Sequence, residues 1–554
     1  MEQYPHLNEL LKKSMTDNSE RQALTDLDGV SFSYKDVSRK IEKLHILFKH
    51  SGVEPGDKVA LCGRNSAQWA VAFFGILTYG AVAVPVLHEF KPDNIHHIVN
   101  HSEAKLLFVE KAVWENLDPD SMTGLSGVLR MSDFSLLMSR SQALDEARLK
   151  LNELFGCKFP ERYVPSDLEI FIPELDELAL INYTSGSTGL SKGVMLTYRN
   201  LGSNLIFCNE HLKFLEAGDN LVSMLPMAHM YGLMIDVIFP FVRGCHINFL
   251  TRTPSPRVIK TAFEQIKPKM IVAVPLIIEK MIKGNVFPLL EKPMMKILLK
   301  VPFVDDRLLG KIKDKLYETF GGNLQELIIG GAALNKDVEA FLRRIDFPFT
   351  VGYGMTECAP LISYASASEY KQGSCGKVVD RMEVKVASPE ASRVAGVIYV
   401  RGQNVMKGYY RNPSATKEVL DIDGWLNTGD IGTVDEDGFI FLRGRNKNMI
   451  LGPSGQNIYP EEIEEILNNL PYVGESIVIS DGGKLVALVY PDYDNAAREN
   501  IDEAGLAQKM EENLEALNQA VPAYSKVSRI KMMNEEFEKT PKRSIKRYLY
   551  QHAD

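Results

Sequence analysis

Tyr183-Thr184-Ser185-Gly186-Ser187-Thr188-Gly189-Leu190-Ser191-Lys192-Gly193 follows directly on an apolar run, Leu178-Ala179-Leu180-Ile181-Asn182. Glycines let backbone N–H groups approach an anion closely, and Ser/Thr hydroxyls add donors. Lys192 supplies a point charge suited to a phosphate. The stretch therefore reads as a phosphate cradle behind a buried strand. It is not a Walker A loop, which ends in Gly-Lys-Ser/Thr; here Lys192 stands between Ser191 and Gly193.

Outward from this loop, the first 350 or so residues alternate short apolar runs with amphipathic stretches. Strands are expected at Lys58–Cys62, Ala81–Val86, Lys105–Val109, Leu178–Tyr183, Asn220–Leu225, Met270–Val274, Glu326–Gly330 and Phe349–Tyr353. Helical patterns lie between many of them, the signal of βαβ units and largely parallel sheets. After about Gly373 the texture changes to short strands separated by Asp/Gly turns, with Asp435-Glu436-Asp437-Gly438 as a hairpin loop. Past Asn448 a helix from Pro460, strands at Glu475–Ser480 and Leu485–Tyr490, a helix near Glu503–Asn518 and a basic tail form a small α+β domain. The expected fold is α/β. A large body of two doubly wound α/β subdomains plus a β-barrel-like unit spans residues 1–445, and a small mobile α+β lid spans 446–554.

The chain has 554 residues, 45% hydrophobic and 24% charged, with a formal net charge of -9. That length suggests three or four domain-sized units and allows a large core without disulfides or metals. The composition excludes disorder, collagen and coiled coil, and the acidic balance argues against a nucleic-acid wrapper. Cys62, Cys157, Cys208, Cys245, Cys358 and Cys375 show no zinc or C-x-x-C spacing, so they read as reduced thiols. The first residues, Met1 to Met15, lack the pattern of a signal peptide. Trp69–Leu87 carries no charge over 19 residues. Gly75, Gly80 and Pro85 interrupt it, so it is expected to be a helix, a glycine turn and a strand rather than a membrane span. A cytoplasmic location is expected, with a peripheral membrane contact as a further option.

Taken with five other segments in order, the loop resembles the signature of the adenylate-forming superfamily, which includes acyl-CoA synthetases, firefly-type luciferases and peptide-synthetase adenylation domains. These segments are Leu225-Pro226-Met227-Ala228-His229-Met230-Tyr231-Gly232, Gly330-Gly331-Ala332-Ala333-Leu334, Val351-Gly352-Tyr353-Gly354-Met355-Thr356-Glu357, Gly424-Trp425-Leu426-Asn427-Thr428-Gly429-Asp430, and Gly444-Arg445-Asn446-Lys447 leading to Gly455-Gln456-Asn457-Ile458-Tyr459-Pro460. The loop departs from the family pattern once, with Ser191 where proline is usual.

The resemblance implies a nucleotide site made by Thr184, Ser185, Gly186, Ser187, Thr188, Gly189, Lys192, Gly331, Ala332, Ala333, Tyr353, Gly354, Asp430, Arg445 and Lys447. Tyr353 can stack on adenine. Thr356 offers a hydroxyl to the α-phosphate, and Glu357 is a hard oxygen ligand for Mg2+ on ATP. Asp430 can accept from two ribose hydroxyls and Arg445 can donate to ribose or phosphate. Taken alone, His229 between apolar neighbours reads as a satisfied core histidine; the resemblance implies instead that it flanks an acid pocket. The tail departs further: Ser544 stands where the family has its catalytic lysine, leaving Lys542, Arg543 and Lys546 as neighbouring cations.

The implied chemistry is attack of a carboxylate on the α-phosphorus of Mg·ATP, then transfer of the acyl group to a thiol with release of AMP. Lys447 matches the family's hinge position. The expected substrates are a fatty acid, ATP and coenzyme A, with no nucleic-acid partner. The segments around Thr356 and Gly444 look most like long-chain fatty acyl-CoA synthetases. The competing readings are an acyl-carrier-protein ligase, an acyl-AMP synthetase, and a non-enzymatic nucleotide-binding relative suggested by Ser544. Asn285 to Pro302, apolar and Met-rich with Lys292, Lys296 and Lys300 at helical spacing, reads either as a membrane contact or as a surface helix packed on the body.

Overall fold

The computed structural model describes residues 6–184, 191–251, 255–301, 304–451, 457–540 and 545–550. The chain forms two compact units. One holds the described residues up to 383 together with 400–426, the other 384–399 together with 427 onward.

Two sheets dominate the first unit. In the eight-stranded sheet, five parallel strands lie in the order Leu178–Thr184, Val82–Val86, Lys58–Cys62, Ala104–Val109, Gly127–Arg130. Antiparallel strands extend it at both ends: Lys192–Thr197 and Gly408–Tyr409 at one, Leu136–Ser139 at the other. The seven-stranded sheet runs Phe349–Val351, Glu326–Ile329, Met270–Ala273, Asn220–Ser223, His246–Phe249, Gln22–Asp26, Ser31–Ser33, parallel up to the last pair. All eight strands expected from the sequence in this part are present. Near-continuous Val/Ile/Leu content is what strands covered on both faces require, and Val59, Ala60, Val84, Leu106, Leu107, Ile271 and Val272 are all buried.

The uncharged run Trp69–Leu87 resolves as expected. The helix Ala67–Tyr79 is capped by Gly80 at φ 89°, and Val82–Val86 follows as a buried strand. Gly80 is obligatory: a Cβ there would lie 2.5 Å from the Phe171 ring. Among the described residues no helix is long and apolar enough to cross a membrane.

Beyond Val351 strand pairing is mostly antiparallel, and Lys484–Pro491 pairs parallel with Val527–Met532. Tyr353–Gly354, Leu361–Tyr364 and Lys377–Val378 form a three-stranded sheet. Met382–Ala387, Gly396–Gly402, Leu426–Val434 and Ile440–Arg445 form a four-stranded one. The Asp435 hairpin is built as its residues dictate: Asp435 Oδ1 accepts from Asp437 N at 3.0 Å and Phe439 N at 2.9 Å, and Gly438 takes φ 84°. The C-terminal part packs the helices Pro460–Leu467 and Glu503–Ala520 on a sheet of Val473–Asp481, Lys484–Pro491 and Val527–Met532. Its own core includes Ile463, Leu467, Val478, Leu485, Val489, Met510 and Leu517.

Candidate active site

The two ends of the phosphate-cradle sequence lie on neighbouring strands. Leu178–Thr184 and Lys192–Thr197 pair antiparallel, with Thr184 opposite Lys192 and Tyr183 opposite Gly193. Ser185, Gly186, Ser187, Thr188 and Gly189 lie outside the described residues. Gly193 is needed for close packing, since a Cβ would come within 2.8 Å of Ile181. Tyr183 turns inward, and its hydroxyl meets His101 Nδ1 at 2.7 Å.

Lys192 Nζ lies 5.0 Å from the ring centroid of Tyr409, a cation–π arrangement. Tyr409 is delivered by the short strand Gly408–Tyr409, which pairs with Lys192–Thr197. Its phenol donates to Glu357 Oε1 at 2.9 Å. Burial, and then the neighbouring Glu357 carboxylate, push the Tyr409 phenol well above its ordinary range, so it stays a donor. Glu357 is also tethered through its carbonyl, which accepts from Met406 N at 2.8 Å. Lys192, Tyr409 and Glu357 thus form one linked row, and Tyr409 is a member the sequence reading missed. Its one signal was an aromatic pair, Tyr409-Tyr410, after Gly408, with no spacing cue.

Thr356 and Glu357 sit in the 3-10 turn Thr356–Cys358. Buried Asn204 clamps this turn, donating to Cys358 O at 3.2 Å and accepting from Leu361 N at 3.0 Å. Gly354 allows the approach of the next strand: a Cβ would lie 2.2 Å from Pro360 O. Tyr353, just before it, is 7% exposed.

The segment carrying His229 is strung between the ends of the two large sheets. Asn182 Nδ2, fully buried in the first sheet, donates to Ala228 O at 2.9 Å. Asn65 donates to Leu225 O at 2.7 Å and accepts from Met227 N at 2.9 Å. From the other side, Tyr231 Oη donates to Ile328 O in the second sheet at 3.1 Å. Gly330 makes room for that tyrosine, because a Cβ would lie 3.0 Å from its ring. Gly331 follows at φ 85°, and Gly331, Ala332 and Ala333 are exposed at the carboxyl end of Glu326–Ile329. Carboxyl ends of parallel strands are where open α/β sheets bind ligands. His229 is half-buried there.

Directly after Tyr231 the chain forms a π-helix, Gly232–Ile238. Such wide turns mark functional regions more often than chance. Asp236 lies inside it, 1% exposed, beside the backbone N–H groups of Met224 and Leu225, and its Oδ2 has no hydrogen-bond partner. Burial pushes its carboxyl far above the usual range, so it is held neutral. Asp236 therefore sits against the start of the His229 segment. Nothing in the sequence pattern marks it.

In the second unit, Asp430 and Arg445 are cross-strand neighbours, with Arg445 Nε 3.0 Å from Asp430 Oδ1. Asp430 is 5% exposed and its N–H is held by Thr428 Oγ1 at 3.1 Å. Lys447 lies in the 3-10 turn Asn446–Asn448, and Asn448 donates to Glu461 Oε1 at 2.6 Å. In the tail, Lys539 pairs with Glu475 at 2.7 Å, Lys546 with Glu538, and Arg547 with the buried Glu464. The described cations of the basic tail are thus paired with carboxylates; Lys542, Arg543 and Ser544 lie outside the described residues.

The donors around Glu357 suit a magnesium–phosphate complex in kind: a carboxylate, the Thr184 and Thr356 hydroxyls and a lysine, all hard. The one cluster of three metal-capable side chains among the described residues is Glu210, His211 and Asp380 at the surface, which excludes Glu357. A cation at Glu357 would therefore draw its other ligands from substrate and water, the usual habit of Mg2+.

The comparisons with known proteins agree with this architecture. The family model described as AMP-binding enzyme matches residues 11–410, and that of the AMP-binding enzyme C-terminal domain matches 447–552. The chain belongs to this family, the adenylate-forming ligases. Among curated relatives, a chloroplastic long-chain-fatty-acid–acyl-carrier-protein ligase of Arabidopsis thaliana is 28% identical over 85% of this chain and 73% of that protein. Long-chain-fatty-acid–CoA ligase 5 of Rattus norvegicus is 29% identical over 83% of this chain and 71% of its own. ATP-bound MatB from Rhodopseudomonas palustris shares the fold, with a TM-score of 0.74 at 22% identity over 99% of this chain and 98% of that one.

Proposed function

We propose that this protein activates a long-chain fatty acid with ATP through an acyl-adenylate and transfers the acyl group to coenzyme A, releasing AMP and pyrophosphate. The observation that carries the reading is that curated relatives spanning more than four fifths of the chain act, by their names, on long-chain fatty acids. The ordered motifs and the Lys192–Tyr409–Glu357 row supply the matching chemistry.

Displacement at the α-phosphorus needs charge neutralisation and positioning more than acid–base groups. In this reading Lys192 and the Thr184 hydroxyl meet phosphate oxygens, and Thr356 meets the α-phosphate. Glu357 holds Mg2+, which neutralises phosphate charge when bound. Tyr409 orients the Glu357 carboxylate by occupying Oε1. Asp430 and Arg445, paired with each other at 3.0 Å, take the ribose hydroxyls. His229 flanks the acid, and Asp236 sits against the start of its segment. Lys546 would have to leave Glu538 to serve as the tail cation.

A second reading, transfer to an acyl-carrier protein, is favoured by the Arabidopsis relative. An acid panel from acetate to stearate, with ATP and Mg2+ and either CoA or acyl-carrier protein, decides both questions by AMP formation. Highest turnover with long acids and CoA is expected. Turnover confined to short acids would overturn the substrate, and dependence on the carrier protein would overturn the acceptor.

A further inference from the structure

The stretch Pro275–Val301 carries five lysines and two glutamates within a chain of net charge -9. Its structure is amphipathic in a way the sequence left open. Phe287, Leu290 and Leu299 face inward and pack on the core of the second sheet. Met294 and Ile297 face outward, 70% and 66% exposed, and Leu289 and Val301 are each 42% exposed. Met294, Ile297 and Val301 stand three and four residues apart, along one side of the helical turn Pro293–Leu298 and the turn after it. Lys292, Lys296 and Lys300 run beside that stripe, all exposed, and none is ion-paired with a described carboxylate. The alternative of a surface helix packed on the body holds for one side only.

We propose that this face docks on an anionic lipid bilayer, with Met294, Ile297 and Val301 entering the headgroup–acyl boundary and Lys292, Lys296 and Lys300 meeting lipid phosphates. A short amphipathic helix with lysines beside exposed apolar side chains has the composition of an in-plane interfacial element. Charge complementarity selects the lipid: an acidic protein would be repelled from an anionic surface unless a cationic patch is presented locally. Lysines, depleted at protein interfaces, and no tyrosine or arginine in this stretch match a fluid surface better than the aromatic, arginine-rich hot spots of protein interfaces. The inference goes beyond the reaction and does not require it.

Cosedimentation of the full chain with vesicles tests this. Vesicles of phosphatidylcholine with phosphatidylglycerol should carry the protein down, and vesicles of phosphatidylcholine alone should not. Raising salt should release it, because exposed charges are screened within about 10 Å at 0.1 M. Lys296→Glu with Lys300→Glu, and separately Met294→Gln with Ile297→Gln, should each weaken association by about tenfold or more. Both variants should keep the parent's AMP formation with a water-soluble acid. No cosedimentation of the parent with anionic vesicles overturns the proposal, as does binding indifferent to salt and to both variants. A parent that is a dimer in solution, converted to monomer by Met294→Gln with Ile297→Gln, would assign the face to a second copy instead.

Discussion

Tyr409 is the residue on which the candidate site turns, because it touches both a cation and a carboxylate that the motifs supply. Tyr409→Phe removes one hydrogen bond to Glu357 Oε1 and keeps the ring under Lys192. A hydrogen bond to a charged group is worth about 1.5–3 kcal/mol. The expected result is a fall of roughly ten- to a hundredfold in kcat/KM for Mg·ATP, with the KM for the acid unchanged. Steady-state kinetics with each substrate varied in turn would show it, and equal loss for both substrates would point to a folding defect instead. Asp236 makes a different residue-scale case. Since burial holds it neutral beside two backbone N–H groups, Asp236→Asn keeps a neutral acceptor of the same shape and should cost little. Asp236→Ala leaves buried donors unmet, at about 1–3 kcal/mol each. Urea unfolding should separate the two variants, and the alanine variant should also raise the KM for the acid through the displaced His229 segment. Neither residue was readable beforehand. Tyr409 stands far from its partners along the chain, and Asp236 sits in a run whose apolar neighbours suggest only a buried helix.

At the scale of elements, the close crossings are set by absent side chains and by capping. Gly354→Ala would place a Cβ 2.2 Å from Pro360 O, inside the strand that carries Tyr353. We expect a loss of about 2 kcal/mol or more from such overpacking, seen as a lower urea midpoint, together with weakened adenine-nucleotide binding. Asp26 caps the buried helix Ala67–Tyr79 by accepting from Ala67 N at 2.7 Å. Burial pushes its carboxyl up to about 6 from an ordinary 3.8, against the lowering by that N–H. The folded form therefore keeps its proton to higher pH than the unfolded form. Its contribution to stability is full below pH 3.8, is lost as pH rises towards about 6, and is flat beyond. Asp26→Asn retains the acceptor without the buried charge. It should be more stable than the parent by about 3 kcal/mol near neutral pH and equal to it at about pH 3.5; thermal unfolding at both pH values checks the sign. Element existence was legible wherever apolar runs were long enough: the eight strands expected in the first unit and the C-terminal helices lie where the pattern placed them. The strands Lys192–Thr197, Gly127–Arg130 and Val527–Met532 were not, because mixed polar content and an edge or hairpin position weaken the alternation on which a strand assignment depends.

At the scale of the whole molecule, the compact grouping places 427–445 with the C-terminal residues, while the family models leave 411–446 between them. Lys447 stands in the short turn Asn446–Asn448 in that region. With Lys447 as the pivot that the family resemblance implies, Lys447→Pro should spare pyrophosphate exchange and lower thioester formation by about tenfold or more, as expected when a proline stiffens a hinge. Equal loss of both half-reactions would remove the hinge role. By itself, the sequence determined the α/β class, the order of the motifs and the family, because these depend on local periodicity and on short stretches read one at a time. Only the tertiary structure decided which residues meet. It brought Tyr409 between Lys192 and Glu357, strung the His229 segment between two sheets, buried Asp236 neutral, paired the described tail cations and turned Met294 and Ile297 outward. Those outcomes depend on burial and on contacts between residues distant along the chain, and no local pattern encodes either.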